Sequence, residues 1–125
     1  MNIPRHLRYT KSHQWAEQQG DGTIKVGITD FAQDQLGDVM FIEMPTVGAM
    51  VTIDEPCAVV ESLKTASEVF APVAGTILLC HDGLSDQPGH LNSEPYDAWI
   101  CVIKPTSVHD YKKLLSPEDY SKLIT

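Results

Sequence analysis

Residues 59–75, VVESLKTASEVFAPVAG, hold a single lysine, Lys64, between two short apolar runs. Both runs are rich in β-branched and aromatic residues, which favour strands. Residues 62–65 lie between them, with Glu-Ser on one side and Ser-Glu on the other. We therefore predict a β-hairpin that projects the amine of Lys64 from its tip on a rigid base.

Further strand signals surround this hairpin. Continuous or alternating apolar runs, separated by Gly, Pro and Asp turns, occur at residues 23–28 (TIKVGI), 39–44 (VMFIEM), 50–53 (MVTI), 75–80 (GTILLC) and 98–104 (AWICVIK). We expect the first of these to pair with a strand around Trp15. Roughly seven or eight short strands in a chain of this length indicate a sandwich or barrel rather than βαβ units. The predicted fold class is mainly β.

Two segments carry helix signals. Residues 29–38 (TDFAQDQLGD) offer Thr29 or Asp30 as N-cap and Gly37 as the C-terminal stop. Near the C-terminus, Ser107 is a candidate N-cap, and Ser116 followed by Pro117 marks a second helix start. Short helices are therefore expected to flank the β structure, including a C-terminal helical segment.

Composition limits the kinds of partner. The 125 residues, 42% of them apolar, are expected to form one domain over residues 1–125. A formal net charge of −8 argues against nucleic acid and against an anionic membrane as partners. No apolar run is long enough to span a bilayer, and no leader is evident. We expect a cytoplasmic protein, or one of the mitochondrial matrix in the case of a processed organellar form.

Motifs of ordinary catalysis are missing from the sequence. It contains no nucleophile elbow, P-loop, dinucleotide fingerprint or HExxH, and no histidine stands at metal-ligand spacing, so neither a catalytic site nor a metal site is expected. Cys57, Cys80 and Cys101 are widely spaced, which indicates reduced thiols. Two of them lie in apolar surroundings as small core residues.

The role of Lys64 has two interpretations from position alone. A lysine in a tight turn is ordinarily a solvated charge. A lysine on a rigid hairpin tip is also suited to covalent attachment, because a tethered group sweeps between partner sites at high effective concentration. Carrier domains use lipoamide and biotin in this way.

A family resemblance favours the carrier interpretation. Residues 61–75 (ESLKTASEVFAPVAG) resemble the lipoyl-lysine segment of the glycine cleavage system H protein family. Similar blocks recur at residues 8–15 (RYTKSHQW), 26–39 (VGITDFAQDQLGDV), 92–96 (NSEPY) and 103–107 (IKPTS). The resemblance implies a barrel-sandwich hybrid fold with lipoate attached to Lys64. Biotin carriers typically have a methionine on each side of their lysine, whereas the neighbours here are Leu63 and Thr65.

The same resemblance implies roles for four further residues. Gly48, Glu61, Glu68 and Gly75 match positions that let the lipoate-attaching enzyme recognise the hairpin. The two glycines have an alternative role as turn residues, and the two glutamates as ordinary solvated charges. An acidic pair beside a projecting amine would give a modifying enzyme an electrostatic landmark.

The function implied by the resemblance is that of a non-catalytic carrier. The carrier takes the aminomethyl group of glycine from the pyridoxal-phosphate glycine decarboxylase to the tetrahydrofolate-dependent aminomethyltransferase. Its dithiol is then reoxidised by dihydrolipoyl dehydrogenase.

Two residues depart from the family pattern. The family's SHEW is SHQW here, with Gln14, and its DHAQ is DFAQ, with Phe31. Family members are thought to shelter the loaded arm in a cleft near these positions, so the resemblance implies Gln14 and Phe31 as cleft residues. Loss of the carboxylate keeps two alternatives open: an H-like protein that serves as lipoate relay or redox carrier outside the glycine cleavage cycle, and an unmodified interaction module. Genes for decarboxylase and aminomethyltransferase nearby would favour the cycle.

Overall fold

The computed structural model describes all 125 residues, Met1–Thr125. It contains nine strands and four helices. The strands are β1 (Arg8–Tyr9), β2 (Gln14–Gln18), β3 (Ile24–Ile28), β4 (Val39–Glu43), β5 (Met50–Val51), β6 (Pro56–Ser62), β7 (Ala66–Phe70), β8 (Gly75–Cys80) and β9 (Cys101–Pro105). The helices are α1 (Asp30–Leu36), α2 (Gly83–Asp86), α3 (His90–Ser93) and α4 (Pro117–Ile124). The predicted mainly β class is confirmed, with β1 as an additional short strand.

The strands form two antiparallel sheets. The large sheet has the order β1-β2-β3-β9-β8-β5, and the small sheet has the order β4-β6-β7. The predicted pairing of the strand around Trp15 with residues 23–28 is confirmed, with Trp15 opposite Gly27. Two sheets with short flanking helices are the architecture expected of a barrel-sandwich hybrid.

The main core lies between the two sheets. Val26, Ile77 and Ile103 of the large sheet pack in one buried cluster with Val60 and Val69 of the small sheet. Burying one such side chain contributes about 1.5–3 kcal/mol relative to exposure. This cluster therefore fixes the small sheet, which carries the lysine hairpin, against the large one.

A second, smaller core holds the C-terminal helix. Tyr120 of α4 stacks on Tyr9 of β1 with ring centroids 4.6 Å apart, and both are fully buried with Trp15 and Leu7. The indole Nε1 of Trp15 donates a hydrogen bond to the carbonyl of Pro95 at 3.0 Å. Helix α4 thus closes the outer side of β1 and β2.

The predicted helix caps at two positions are confirmed. Thr29 caps α1, its hydroxyl accepting a hydrogen bond from the amide of Ala32, and Gly37 ends the helix with φ of 75°. Ser116 caps α4 through the amide of Asp119, with Pro117 in the first helical position.

The prediction of a helix starting at Ser107 was wrong. The Ser107 hydroxyl accepts from the amide of His109 within a turn, and only a 3₁₀ turn, Tyr111–Lys113, follows. The reason is tertiary, because Leu115 exchanges two main-chain hydrogen bonds with Tyr9. That pairing requires an extended backbone at Leu115 and so prevents a continuous helix.

The single-turn helices α2 and α3 were not predicted, and β9 begins at Cys101 rather than at residue 98. Each helix spans four residues, too few for a helical repeat of apolar positions to be visible in sequence.

Gly75 lies where two neighbouring strands approach closely. It lies opposite Pro105, and a Cβ built on it would collide with the main-chain carbonyl of Lys104 and lie 2.9 Å from Cγ2 of Ile103. A glycine is therefore required where β8 packs on β9, whatever else this position does.

We expect Gly75→Ala to lower the free energy of unfolding by about 1–3 kcal/mol, since the added methyl must displace main chain. Urea denaturation followed by tryptophan fluorescence measures this. Gly20→Ala is the matched control, because a Cβ there has no atom within 4 Å. Equal denaturation midpoints for the two variants would contradict the packing argument.

Candidate functional site

The lysine hairpin predicted from residues 59–75 is formed by β6 and β7. The two strands pair in register up to Glu61 opposite Ala66, and the amide of Ser62 donates to the carbonyl of Thr65 at 2.8 Å. The Ser62 hydroxyl also accepts from the amides of Lys64 and Thr65 at 3.4 and 3.2 Å. Ser62 therefore holds the four-residue turn that presents Lys64.

The side chain of Lys64 is exposed and makes no ion pair. Its stem passes over the C-terminal end of α1, where Cε lies 3.2 Å from the position that a Cβ on Gly37 would occupy. The missing side chain at Gly37 thus leaves room for the lysine stem, and the amine is available for attachment.

Asn92 links the chain segments next to Lys64 by hydrogen bonds. It was not singled out from the sequence. Its Oδ1 accepts from the amide of Val39 at 2.8 Å, and its Nδ2 donates to the carbonyl of Gly37 at 2.8 Å and to Oε1 of Gln33 at 3.1 Å. One side chain from α3 therefore fixes the end of α1 to the start of β4. The only signal was its membership of the NSEPY block.

A cleft of about 240 Å³ opens beside the hairpin. It is lined by residues 12–14, by Ala32, Gln35 and Leu36 of α1, by residues 65–69 of the hairpin, and by Ile28 and Val60. Its wall begins at the residue after Lys64, and six of its thirteen lining residues are apolar. A flexible aliphatic chain attached to Lys64 would therefore find apolar side chains in a groove within reach.

Gln14 lines this cleft, and both polar atoms of its side-chain amide are hydrogen-bonded within the protein. The residue is 2% exposed, and its Oε1 accepts from the hydroxyls of Thr10 and Ser12, both at 2.6 Å. Its Nε2 donates to the carbonyl of Ser12 at 3.0 Å. Gln14 thus sits in a neutral, satisfied network and brings no charge to the cleft.

Phe31 does not line the cleft but packs on a residue that does. Its ring lies 4.6 Å from that of His13, which has φ of 73° and whose Nδ1 is 2.8 Å from the hydroxyl of Tyr120. That hydroxyl is 2.7 Å from Oγ1 of Thr29. Burial lowers the pKa of His13 below its ordinary value. His13 is therefore held as a neutral imidazole in the cleft wall.

The four residues associated with lipoate attachment lie in different parts of the fold. Glu68 is in β7 and is the only carboxylate lining the cleft, whereas Glu61 lies outside the lining, opposite Phe41 and Ala66. Gly48 has φ of 90°, and its amide donates to Ile77, so it forms the turn before β5. Gly75 thus belongs to strand β8 of the large sheet and Gly48 to a turn bonded to that strand, and neither lies in the hairpin turn.

A small sheet packed on a larger one, with a turn that projects a free lysine, defines the class of lipoyl- and biotinyl-carrier-like folds. The family model described as Glycine cleavage H-protein matches residues 7–125. A glycine cleavage system H protein of Geobacillus kaustophilus is 46% identical over 125 residues, which are 99% of this chain and 98% of that relative. One of Psychrobacter cryohalolentis is 47% identical over 120 residues, which are 95% of each chain.

Solved structures agree with the sequence relatives. The crystal structure of a glycine cleavage system H protein from Mycobacterium marinum matches with a TM-score of 0.87 and 36% identity, covering 96% of this chain and 97% of that one. The chain belongs to the glycine cleavage H-protein family, whose members are lipoyl carriers of the glycine cleavage system. The resemblance read from residues 61–75 and the flanking blocks is confirmed.

Two further properties of the molecule bear on the site. No group of three or more His, Cys, Asp or Glu side chains is arranged to hold a metal ion. None of the helices has the length and apolar character needed to cross a membrane.

The neutral state of His13 predicts a pH dependence of stability. Because its folded pKa is below the unfolded value of 6.5, its contribution is complete above pH 6.5 and is lost as the pH falls from there through the folded pKa. We expect the free energy of unfolding of the wild type to fall more steeply than that of His13→Asn between about pH 7 and pH 5.5. Urea denaturation at the two pH values measures the difference.

Asparagine is the suitable replacement because it tolerates a positive φ and does not titrate. Parallel pH profiles for the two proteins would show that His13 is not held neutral by the fold.

Proposed function

We propose that Lys64 carries lipoate through an amide bond to its Nζ. The observation that supports this most directly is an exposed, unpaired lysine amine on a turn that Ser62 organises, in a chain of the H-protein family. When attached there, lipoate supplies a dithiolane disulfide that opens by attack at sulfur and so accepts and releases the aminomethyl group of glycine. The protein contributes position and shelter, and the chain has no turnover of its own.

The residues near Lys64 fit such a group. The lining of the cleft beside the turn is mixed, and its apolar side chains, among them Leu36 of α1 and Val69 of β7, suit an aliphatic arm. The stem of Lys64 already lies along Gly37, so the side chain follows the surface of the protein. A tethered arm could therefore alternate between this cleft and solvent without any change of fold.

Glu68 is the residue of this cleft best suited to hold an amine. It is the only carboxylate in the lining, and Gln14 is neutral and committed to Thr10 and Ser12. A carboxylate stabilises a protonated amine by a charge-assisted hydrogen bond, which is weaker at an exposed position such as this one. We infer that Glu68 retains the cargo's amine, while the apolar side chains of the cleft contact the aliphatic arm.

Three enzymes would meet the arm in turn: the pyridoxal-phosphate glycine decarboxylase, the tetrahydrofolate-dependent aminomethyltransferase and dihydrolipoyl dehydrogenase. A fourth would attach the lipoate. For that enzyme, Glu61 and Glu68 flank Lys64 as exposed acidic landmarks, while Gly48 and Gly75 keep the large sheet in shape behind the hairpin. Gly48 and Gly75 would thus affect lipoate attachment only indirectly, by maintaining the fold.

A second candidate function follows from Gln14. Its neutral network leaves Glu68 as the sole carboxylate of the cleft, which would suit an H-like protein that relays lipoate or serves as redox carrier and need not retain an amine. In that case Lys64 is still lipoylated, but glycine does not load the arm.

Lys64→Arg should abolish lipoylation, because guanidinium does not form the amide. Intact mass spectrometry of protein from lipoate-replete cells, followed by peptide mapping, should find one lipoyl increment on the Lys64 peptide of the wild type. Lys122→Arg, an exposed lysine change on α4, is the matched control and should keep the increment. An unmodified wild type, even with lipoate ligase supplied, would contradict the proposal.

Glu68→Gln should shorten the lifetime of the glycine-loaded carrier, by about two- to fivefold, the range of an exposed charge interaction. Release of formaldehyde from the purified loaded protein measures this lifetime. Glu61→Gln removes a carboxylate near Lys64 but outside the cleft lining. The lifetime of this variant in its glycine-loaded form should therefore match that of the loaded wild type. Equal effects of the two substitutions would assign the loss to general electrostatics rather than to the cleft.

A further inference from the structure

Strand β7 has an unpaired edge. It is an outermost strand of the small sheet and pairs only with β6. The other outermost strands are short or covered: β1 and β5 have two residues each, and β4 lies beside α2, with its Val39 amide hydrogen-bonded to Oδ1 of Asn92. By contrast, β7 has five residues, and residues 65–68 are exposed. Proteins ordinarily shorten or cover such edges, because an open edge is a template for pairing with another chain.

The register shows which main-chain groups of β7 face this edge. The amide of Ser62 donates to the carbonyl of Thr65, which makes these two residues a hydrogen-bonded pair. Hydrogen-bonded and non-hydrogen-bonded pairs alternate along an antiparallel ladder, so Ala66 and Glu68 are in non-hydrogen-bonded pairs with β6. The amides and carbonyls of these two residues therefore point away from β6, towards a side where no other strand lies.

The face of the sheet next to this edge is acidic. Each strand of the small sheet contributes one exposed carboxylate to its outer face: Glu43, Glu61 and Glu68. None of the three strands contains a lysine or an arginine. A strand added to β7 would place the side chain opposite Glu68 on this same face, next to the carboxylate. A basic residue is therefore favoured at that position.

The neighbouring positions of an added strand would face the cleft. Side chains alternate between the two faces of a strand, so the residues on either side of the basic one would point inwards. Val69 of β7 and Leu36 of α1, both buried, line the cleft there. Apolar residues suit these two inward positions. The edge thus specifies an extended segment in which basic and apolar residues alternate.

We propose that β7 is a docking strand, to which a partner protein adds an extended segment of alternating basic and apolar residues as an antiparallel strand. The segment exchanges main-chain hydrogen bonds with Ala66 and Glu68 and pairs a lysine or arginine with the Glu68 carboxylate. The net charge of −8 attracts a basic partner at longer range. Because Ala66 is two residues from Lys64, the docked partner is held close to that amine.

Strand addition does not depend on lipoylation, but one consequence of it rests on the proposed function. A basic side chain paired with Glu68 takes the carboxylate that otherwise holds the cargo's amine. Docking of the partner therefore weakens retention of the cargo in the cleft while the partner is bound next to Lys64.

Amide hydrogen exchange of the unlipoylated full chain, followed by NMR, tests this. The probe is the blocked peptide acetyl-VKVTV-amide, whose lysine would lie opposite Glu68 and whose threonine would lie opposite Ala66. In the free protein the Ser67 amide, which faces β6, should exchange slowly, and those of Ala66 and Glu68 rapidly. With nine-tenths of the protein bound, exchange at Ala66 and Glu68 should slow about tenfold, because only the free tenth exchanges.

Controls separate hydrogen bonding from charge. N-methylation of the peptide's lysine and threonine amides should abolish the protection. Glu68→Gln should weaken binding by about two- to fivefold, the range of an exposed charge interaction. Glu43→Gln, on the far strand of the same face, is the matched control and should bind the peptide as the wild type does. Glu68→Pro, which removes an amide that faces away from β6, should fold and bind no peptide.

Rapid exchange at Ala66 and Glu68 with peptide present in the millimolar range would overturn the proposal, as would equal binding of the N-methylated peptide. A concentration-dependent dimer of the chain alone, protected at the same two amides, would overturn the assignment to a partner and give the edge to a second copy. A chain that binds the peptide but is never lipoylated would overturn the proposed function and support strand addition.

Discussion

Burial of the inner face of β6 and β7 is the constraint on which the rest of the molecule depends. Val60 and Val69 are almost fully excluded from solvent between the sheets, only a few residues from an exposed turn. A hairpin alone in water is marginally stable, but one whose inner face is buried has a fixed direction. Lys64 therefore projects from a base that the core holds in place, which suits a tethered carrier group.

Much of the fold could be predicted because it depends on residues that are close to one another in the sequence. The apolar runs on either side of Lys64, the caps at Thr29 and Ser116 and the stop at Gly37 each involve neighbours in sequence, and the structure has all of them. The prediction that failed concerned a segment shaped by contacts between residues far apart in the sequence. The helix expected from Ser107 is interrupted because Leu115 pairs with β1, a contact that spans most of the chain.

In the candidate site, too, some features could be predicted from the sequence and others depend on contacts between distant residues. Gln14 lines the cleft beside the hairpin, but its neutral hydrogen-bond network could not be predicted from its neighbours in sequence. Phe31 acts on the cleft only through His13, and Asn92 fixes the base of the lysine from a distant helix. The bulges in β6 and β8 depend on register, which strand patterns alone do not specify.

The central claim is that Lys64 bears the carrier group of a glycine cleavage carrier. The most direct measurement incubates the lipoylated protein with glycine labelled at carbon 2 and with glycine decarboxylase, and then maps the label by mass spectrometry of peptides. The account predicts label on the Lys64 peptide, present only when that lysine is lipoylated. A fully lipoylated protein that takes up no label from glycine would contradict it and would favour a lipoate relay.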